Sequence, residues 1–327
     1  MILRHFASAG LLSTVGVVTG CSGIQSALDP AGAEADAIAK LFWVLVAVGT
    51  IIWLGVSGIL LYGVRSGRRP ITEAAASSLI LWGGVFTAAT LVVLLGFALW
   101  LMPSLRPFAG EAGTSLRIEI TGRQYWWRVV YHVPGYPALI SANEVRLPVG
   151  ERVELTLHSD DVIHSFWIPA LGGKMDMIPG RENRLSLLAT KPGTFRGPCA
   201  EFCGTSHALM AFSAVAMESK DFHAWLASRV KPSPGATAGA AGLFLRHGCG
   251  SCHTVAGTEA AGTLGPDLSH LGSRLTLGAG ILPNTAENIA RFITEPDKIK
   301  PGVEMPAFGM LPPDDIRAIA AWLKGLE

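Results

Sequence analysis

The stretch Pro198-Cys199-Ala-Glu-Phe-Cys203-Gly-Thr-Ser-His207-Ala-Leu-Met210 brings cysteine, glutamate, histidine and methionine together in one short segment. A second histidine, His164, lies upstream in Asp161-Val-Ile-His164-Ser-Phe-Trp-Ile-Pro169. Thiolate and thioether groups are soft ligands that favour copper, and imidazole suits copper as well. Gly197 and Pro198 before the segment, and Gly204 within it, disfavour a helix. The segment is therefore expected to form a loop between strands that turns its ligands toward a metal ion.

Short strand-like runs flank this loop on both sides. Apolar and polar residues alternate over residues 116–120 and 153–157, and residues 211–217 are rich in strand-forming side chains. Turn signals separate such runs at Pro134-Gly135, Pro148-Val-Gly150, Pro179-Gly180 and Pro192-Gly193. Short strands with such turns are typical of an all-β sandwich or barrel. We predict this fold for residues 113–230, with a helix from about residue 220 to 229 at its end.

The composition indicates membrane segments. The mean hydropathy of the 327-residue chain is +0.40. Residues 41–62 and 79–102 contain no charged side chain, and each run reaches the roughly 20 residues that cross a bilayer. They predict a transmembrane helical hairpin over residues 38–104. The loop between the helices carries Arg65, Arg68 and Arg69, so the positive-inside rule places it in the cytoplasm and the rest outside. A net charge of +1 gives no indication of a nucleic-acid partner.

The N-terminus has the pattern of a secretory signal. Arg4 and His5 precede an apolar run, and Val18-Thr-Gly-Cys21 places a cysteine directly after small residues, as in a bacterial lipobox. We expect residues 1–20 to be a signal peptide of the lipoprotein type, cleaved before Cys21, which then carries lipid. The alternatives are a simple signal cleaved near Gly20 and a third membrane helix.

A second redox motif follows residues 231–240, a segment rich in Pro, Gly and Ala that we predict to be a linker. Cys249-Gly-Ser-Cys252-His253 has the spacing of covalent c-type haem attachment, in which both thiols bond to the haem and the histidine binds its iron. A chance Cys-x-x-Cys redox pair is the alternative. Residues 241–327 otherwise show helical apolar periods, so we expect a small α domain that a cofactor helps to stabilise.

These motifs account for all five cysteines. Besides Cys21, two lie in the loop and two in the haem motif, so none remains for a structural disulfide. An exported location is oxidising, and a bound metal would protect the loop thiols. Two cysteines four residues apart also fit half of a zinc site, because zinc takes Cys₂His₂ ligands readily. The other histidines are expected to be core or surface residues rather than ligands: His132, His158, His223, His247 and His270.

The loop, the His164 segment and Gly172-Gly-Lys-Met-Asp176 together closely resemble the CuA domain of cytochrome c oxidase subunit II, and the resemblance covers most of residues 38–230. It implies a cupredoxin-like fold and two coppers that both cysteine sulfurs bridge. It also implies one histidine on each copper, with the Met210 thioether and the Glu201 backbone carbonyl as weak ligands on opposite sides. A Mg²⁺ ion shared with the catalytic subunit is implied at the Glu201 side chain. The implied copper ligands are His164, Cys199, Glu201, Cys203, His207 and Met210.

An aromatic run before the loop is a further point of resemblance. In the family this run begins with a tryptophan that passes electrons into CuA, whereas here it reads Gln124-Tyr125-Trp126-Trp127. The first aromatic position is therefore a tyrosine. The resemblance makes Tyr125, Trp126 and Trp127 the candidates for electron entry.

The C-terminal region resembles class I cytochromes c. Gly265-Pro266-Asp-Leu268 follows the haem motif, and Glu304-Met305-Pro-Ala-Phe308 lies further on. The resemblance implies an all-α cytochrome c domain at residues 241–327, with covalent haem on Cys249 and Cys252 and His253 as one axial ligand. It implies that the Pro266 carbonyl accepts the other ring proton of that histidine. Met305 is then the second axial ligand, with Met310 as the competitor.

The order of segments resembles subunit II of a caa3-type oxidase, a multi-pass protein of the bacterial inner membrane with both redox domains on the periplasmic face. The resemblance implies electron flow from an external donor, such as a cytochrome or a quinol–cytochrome reductase, to haem c, CuA and haem a of subunit I. Oxygen would be reduced at the haem a3–CuB site of subunit I with proton translocation, and subunit III is a further partner. The rival interpretations are the CuA subunit of a nitric oxide reductase and a non-enzymatic electron-carrier lipoprotein.

Overall fold

The computed structural model describes residues 22–65, 71–101 and 116–327. The predicted signal peptide with Cys21, the loop residues Arg68 and Arg69, and Met102 lie outside the described residues. The chain separates into two compact units, Asp36–Arg106 and the remainder, which joins Met1–Ala35 to Pro107–Glu327.

Two long helices make up the smaller unit. Helix α1 spans Ala33–Arg65, its first turn belonging to the larger unit, and helix α2 spans Glu73–Leu101. Both are long and apolar enough to cross a membrane. A helix is also what a membrane span requires, because it satisfies the backbone hydrogen bonds internally. The two predicted spans are therefore confirmed as helices, although each extends beyond the charge-free run on which the prediction was based.

A β-sandwich forms the first part of the larger unit. Its strands are β1 (Arg117–Arg123), β2 (Trp126–His132), β3 (Leu139–Ala142), β4 (Glu144–Pro148), β5 (Arg152–Ser159), β6 (His164–Phe166), β7 (Met175–Met177), β8 (Asn183–Leu188), β9 (Gly193–Pro198) and β10 (Ala211–Met217). One sheet has the order β3-β2-β1-β5-β8, in which β1 and β5 are parallel and the other neighbours antiparallel. The second has the order β4-β10-β9, and β6 pairs with β7 separately.

The alternation of apolar and polar residues predicts correctly which side chains of β1 and β5 are buried. In β1, Ile118 and Ile120 are fully buried, and β5 buries Val153, Leu155 and Leu157 in the same way. At the end nearest the metal-ligand loop, an aromatic cluster joins the two sheets. The ring of Phe212 stacks on Phe166 with centroids 4.7 Å apart, and Trp127 meets Phe212 edge-on at 5.3 Å. We call this cluster of three packed rings, Trp127, Phe166 and Phe212, the aromatic floor of the loop.

Two flanking segments complete the sandwich. Helix α3 (Ser219–Arg229) forms where the sequence predicted a helix; it covers one end of the sandwich and buries Phe222 and Leu226. Near the N-terminus, Glu34 is buried and pairs with Arg152 at 2.6 Å, while it accepts the Leu188 N–H at 3.0 Å. A buried carboxylate with both a cation and a backbone donor is well satisfied, so this segment is firmly attached to the sheet.

The C-terminal region has a separate apolar core. It contains α4 (Ala241–Arg246), α5 (Ala286–Thr294), α6 (Pro296–Ile299) and α7 (Pro313–Lys324). A short hairpin, β11 (Thr276–Leu277) with β12 (Leu282–Pro283), adds strand structure to the helical domain that the sequence predicted. The boundaries of the predicted linker stay predictions, but the segment is packed rather than free. Ala236 and Ala240 are buried in this core, and Trp322 Nε1 donates to the Gly235 carbonyl at 3.0 Å.

Gly197 offers a test of the aromatic floor. It faces Phe212 across the β9–β10 pair, and a Cβ atom at Gly197 would lie 2.1 Å from that ring. Because the ring is enclosed by other aromatic side chains, we expect Gly197→Ala to lower the free energy of unfolding by about 1–3 kcal/mol. Thermal unfolding of the detergent-purified protein measures this. Gly242→Ala is the matched control, since a Cβ there meets nothing within 4 Å. Equal melting temperatures for the two variants would contradict the packing described.

Candidate copper and haem sites

The metal-ligand segment forms the loop between antiparallel strands β9 and β10, as predicted. At its ends, the Cys199 N–H donates to the Met210 carbonyl at 2.8 Å, which closes the loop. The Ala200 N–H donates to the Ser165 carbonyl at 3.0 Å and so ties the loop to β6, the strand that begins at His164. Backbone hydrogen bonds therefore bring the distant histidine beside the two cysteines.

Both thiols and both imidazoles converge. The Sγ atoms of Cys199 and Cys203 are 3.8 Å apart. Cys199 Sγ lies 3.9 Å from His164 Nδ1, and Cys203 Sγ lies 3.5 Å from His207 Nδ1. The ligand atoms of His164, Cys199 and Cys203 all lie within 4.8 Å of one another, the one such buried cluster among the residues that the structure describes. Two sulfurs thus lie between two imidazoles, which is a suitable ligand set for a soft metal.

The expected weak ligands lie beside different sulfurs. Met210 is buried, and its Sδ atom is 3.8 Å from Cys203 Sγ. The Glu201 backbone carbonyl is 3.3 Å from Cys199 Sγ. A thioether and a carbonyl oxygen therefore approach the sulfur pair from separate positions, and all six sequence-predicted copper ligands meet at one place.

His164 is held by Asp161. Its Nε2 atom lies 2.7 Å from Asp161 Oδ1, and the same carboxyl group accepts the N–H groups of Gln124 and Val162, both at 2.6 Å. Burial lowers the pKa of His164, but its hydrogen bonds to Asp161 and Cys199 outweigh burial and raise it to about 9. The carboxylate orients the ring so that Nδ1 faces the sulfurs, a common arrangement behind metal-binding histidines.

The two thiols differ in acidity because they are hydrogen-bonded to each other. That bond lowers the pKa of Cys199 to about 3, and the same bond raises the pKa of Cys203. One thiolate is therefore stabilised by the neighbouring thiol. Metal ions bind thiolates and displace their protons, so a metal at this site would ionise both sulfurs.

The Glu201 side chain points away from the sulfurs. Its Oε2 atom lies 3.6 Å from Lys174 Nζ, which also pairs with Asp176 at 3.0 Å. The carboxylate is nearly half exposed. The structure thus places this group at the surface beside the copper loop, paired with an ammonium group.

The residues of the haem motif surround one apolar cavity. Cys249, Cys252, His253 and Met305 all line it. His253 Nδ1 donates to the Pro266 carbonyl at 2.7 Å, which leaves Nε2 for an iron ligand. A Cβ atom at Gly265 would lie 2.4 Å from the His253 ring, so only glycine allows this close approach. Burial lowers the pKa of His253, which favours the neutral, ligating form.

The structure distinguishes the two candidate axial methionines. Met305 lines the cavity and packs against the apolar core. Met310 is 79 % exposed. All four described cysteines are free thiols, in the two pairs that the sequence assigned to metal and haem. The donors at both sites therefore fit the groups that the sequence predicts.

The aromatic run lies between the two sites. Tyr125 and Trp126 line the haem cavity, whereas Trp127 is fully buried with its ring centroid 6.0 Å from that of His164. Trp126 is half-buried, with the Arg123 guanidinium 5.9 Å from its ring centroid. Trp127 thus lies beside the copper ligand His164, and Trp126 lines the haem cavity. Tyr125 lines the cavity as well, but its hydroxyl lies close to Gly204 of the copper loop.

Two further residues contact the sites and were not predicted. Gln124 lines the haem cavity, and its Nε2 atom donates to the Cys203 carbonyl at 2.6 Å. Lys300 lines the same cavity. Neither residue belongs to a motif, although Gln124 directly precedes the aromatic run that the sequence did single out.

Comparisons with known proteins agree with both sites. Residues 131–217 match the family "Cytochrome C oxidase subunit II, periplasmic domain", and residues 237–327 match "Cytochrome c". The first match implies a copper centre and the second a haem.

One similar protein covers nearly the whole chain, and others cover part of it. Cytochrome c oxidase subunit 2 of Alkalihalophilus pseudofirmus is 35 % identical over 327 residues, covering 95 % of this chain and 94 % of its own length. The subunit 2 of Bacillus subtilis is 35 % identical over 232 residues, covering 66 % of this chain and 64 % of its own. A solved structure, the periplasmic domain of subunit II of cytochrome oxidase from Bradyrhizobium japonicum, is 32 % identical with a TM-score of 0.33, covering 36 % of this chain and 94 % of that one.

The two apolar helices agree with these relatives in indicating a membrane-anchored component of a haem–copper oxidase, an oxidoreductase in which subunit I is the expected partner. Together, the convergent sulfur–imidazole cluster, the haem cavity and the relative that matches almost the full length establish the family. The chain belongs to the cytochrome c oxidase subunit II family, in the caa3-type form that carries a fused cytochrome c domain.

Proposed function

We propose that this chain is the electron-entry subunit of a caa3-type terminal oxidase. Electrons from an external donor, such as a cytochrome or a quinol–cytochrome reductase, enter at haem c, continue to the binuclear CuA centre and leave to haem a of subunit I. Oxygen is reduced to water in subunit I with proton translocation. The role of this chain is to receive electrons outside the membrane and deliver them to that subunit.

One contact carries this proposal. Gln124 lines the haem cavity, and its side chain donates to the backbone carbonyl of Cys203 at 2.6 Å. A single residue therefore connects the wall of one redox site to a ligand of the other. Electron transfer weakens steeply with distance through protein, so a short hydrogen-bonded connection favours passage between the two sites of one chain.

The copper assignment rests on the convergent ligands. In this proposal Cys199, Cys203, His164 and His207 would hold the copper pair. Met210 and the Glu201 carbonyl are the weak ligands. When bound, the copper pair takes up and releases one electron shared over both metals. The loop's backbone hydrogen bonds and the aromatic floor keep these ligands fixed, so little protein has to move when the charge changes.

The haem assignment rests on the cavity. Cys249 and Cys252 would form the covalent bonds to the haem, and His253 and Met305 would be its axial ligands. When bound, the haem exchanges single electrons, and ligation by histidine and methionine raises its potential. The hydrogen bond from His253 to Pro266 keeps the imidazole oriented toward the cavity.

The remaining assignments concern the surroundings of the subunit. We place Mg²⁺ at the Glu201 carboxylate, on the surface beside the copper loop, with further oxygen ligands from subunit I. The redox domains lie on the periplasmic face of the bacterial inner membrane, which agrees with the arginine-rich loop inside. Cys21 carries lipid, and subunit III is a further partner.

Optical and magnetic spectra of the purified membrane complex test both cofactors at once. We expect the visible absorption and mixed-valence EPR signal of a binuclear copper centre, with two coppers for each haem c. Cys203→Ser should abolish the EPR signal while the haem c spectrum persists, because the two sites use separate ligands. The double variant Cys249→Ala/Cys252→Ala should lose the haem c spectrum and retain the copper EPR signal.

Metal analysis of the same sample distinguishes the alternatives. Zinc in place of copper would refute the CuA assignment. Oxygen uptake with a co-purifying, haem a-containing subunit supports the oxidase. Nitric oxide consumption without oxygen uptake would indicate a reductase, and purification without any partner would indicate a carrier.

The axial ligand is tested separately. Met305→Ala should remove the sulfur-to-iron charge-transfer band of the oxidised haem, because Met305 lines the cavity. Met310→Ala is the matched control and should retain the band, since this side chain is exposed. The assignment is wrong if the band survives in the first variant and disappears in the second.

A further inference from the structure

A turn of the cytochrome region packs against the copper-bearing strands. Residues 278–280 lie in the turn between β11 and β12, and their three successive carbonyls each accept a hydrogen bond. The donors are, in turn, Lys300 Nζ at 2.6 Å, the Ala211 N–H at 2.9 Å and Arg196 Nη1 at 2.8 Å. Ala211 and Arg196 lie on β10 and β9, the strands that carry the copper loop. This docking turn therefore fixes the two regions against each other close to the metal ligands.

Lys300 is the residue that connects both sides of this interface. Its side chain belongs to the cytochrome region and is only 2 % exposed. Besides the bond to Gly278, its Nζ atom donates to the Tyr125 carbonyl of the sandwich at 2.6 Å. One ammonium group thus joins the docking turn to the aromatic run, and it does so at the wall of the haem cavity.

The residues after Lys300 continue the same contact. The Pro301 carbonyl accepts a hydrogen bond from the Ser206 hydroxyl at 2.6 Å. Ser206 is fully buried and lies inside the copper loop, between Cys203 and His207. A Cβ atom at Gly302 would lie 3.6 Å from the Tyr125 ring, an ordinary contact distance. Residues 300–302 therefore follow the surface of the copper loop.

The charge of Lys300 calls for an explanation. Its two acceptors are neutral carbonyls, and no carboxylate among the described residues lies within ion-pair distance of it. Burial lowers the pKa of Lys300 to about 7, and the nearby Cys203 sulfur opposes that shift. A neutral donor could join two carbonyls without the cost of burying an ammonium group. With this pKa, Lys300 is protonated in only part of the molecules at neutral pH and in most of them at pH 6.

We propose that Lys300 is a positioning residue that fixes the haem cavity against the copper loop and that, when protonated, places a positive charge between the two redox sites. The inference rests on the proposed function, since it requires haem c and CuA. A fixed separation sets the rate of electron transfer between them. A cation nearby stabilises the site that has gained an electron, so it raises the reduction potentials on both sides.

Lys300→Met in the purified complex tests this proposal. We expect the haem midpoint potential to shift downward in a redox titration at pH 6, where Lys300 is mostly protonated. The rate at which electrons reach the copper pair after flash reduction of the haem should fall by about tenfold, as expected when reacting groups are slightly misplaced. Lys298→Met is the matched control, because Lys298 is exposed and pairs only with Glu295 on its own segment. This control should retain the wild-type potential and rate.

Hydrogen exchange gives a readout that needs no electron transfer. The Ala211 N–H bonds to the Ala279 carbonyl, and the Leu275 N–H bonds to Glu144, both across the interface. We expect these amides to be protected in the wild-type complex and to exchange faster in Lys300→Met, while amides of β1 remain unchanged. If that variant does not fold, Lys300→Gln, which is smaller and polar, replaces it.

Two outcomes would overturn the proposal. One is a folded Lys300 variant with wild-type potential and transfer rate. The other is rapid exchange of both interface amides in the wild-type complex, which would mean that the two regions are not held together. Failure of the proposed function would look different, because the wild-type complex itself would then lack haem c, copper or transfer between them.

Discussion

The structure depends on two buried thiol groups held 3.8 Å apart in one loop. A loop between strands cannot fix its ligands by itself, because it lacks the repeating backbone hydrogen bonds of a helix or a sheet. Pairing of β9 with β10 closes it, a bond to β6 brings in His164, and stacked aromatic rings lie beneath. The sandwich can therefore be understood as a support that gives one sulfur pair a fixed geometry. Such a rigid site suits electron transfer, in which the charge changes while the ligands stay in place.

Direct contacts between the cytochrome region and the sandwich fix the distance between the haem cavity and the copper loop. The cytochrome region does not merely follow the sandwich in sequence; it contacts the copper loop and the aromatic run directly. Most of these contacts are hydrogen bonds from a side-chain or backbone N–H to a backbone carbonyl. At the docking turn, for example, the sandwich donates and the cytochrome region accepts. Such bonds fix orientation without requiring a large apolar surface. The haem cavity and the copper loop thus belong to a single compact unit.

The sequence predicted the parts of the molecule whose chemistry is local. The ligands from Cys199 to Met210 are close in the chain, and the haem motif is closer still, so spacing alone was informative. Strand alternation predicted the buried faces of β1 and β5. Lys300 could not be found in this way, because its partner Tyr125 lies 175 positions away. Gln124 was missed for a similar reason, since only the folded loop brings Cys203 to it.

Time-resolved spectroscopy of the purified complex under anaerobic conditions tests the central claim most directly. After a flash that reduces haem c with less than one electron per complex, absorbance should be followed at the haem and copper bands over a wide range of protein concentrations. We predict that the copper signal bleaches as the haem reoxidises, with a rate that does not change on dilution. A rate proportional to protein concentration, or a reduced haem that never passes its electron to copper, would contradict it.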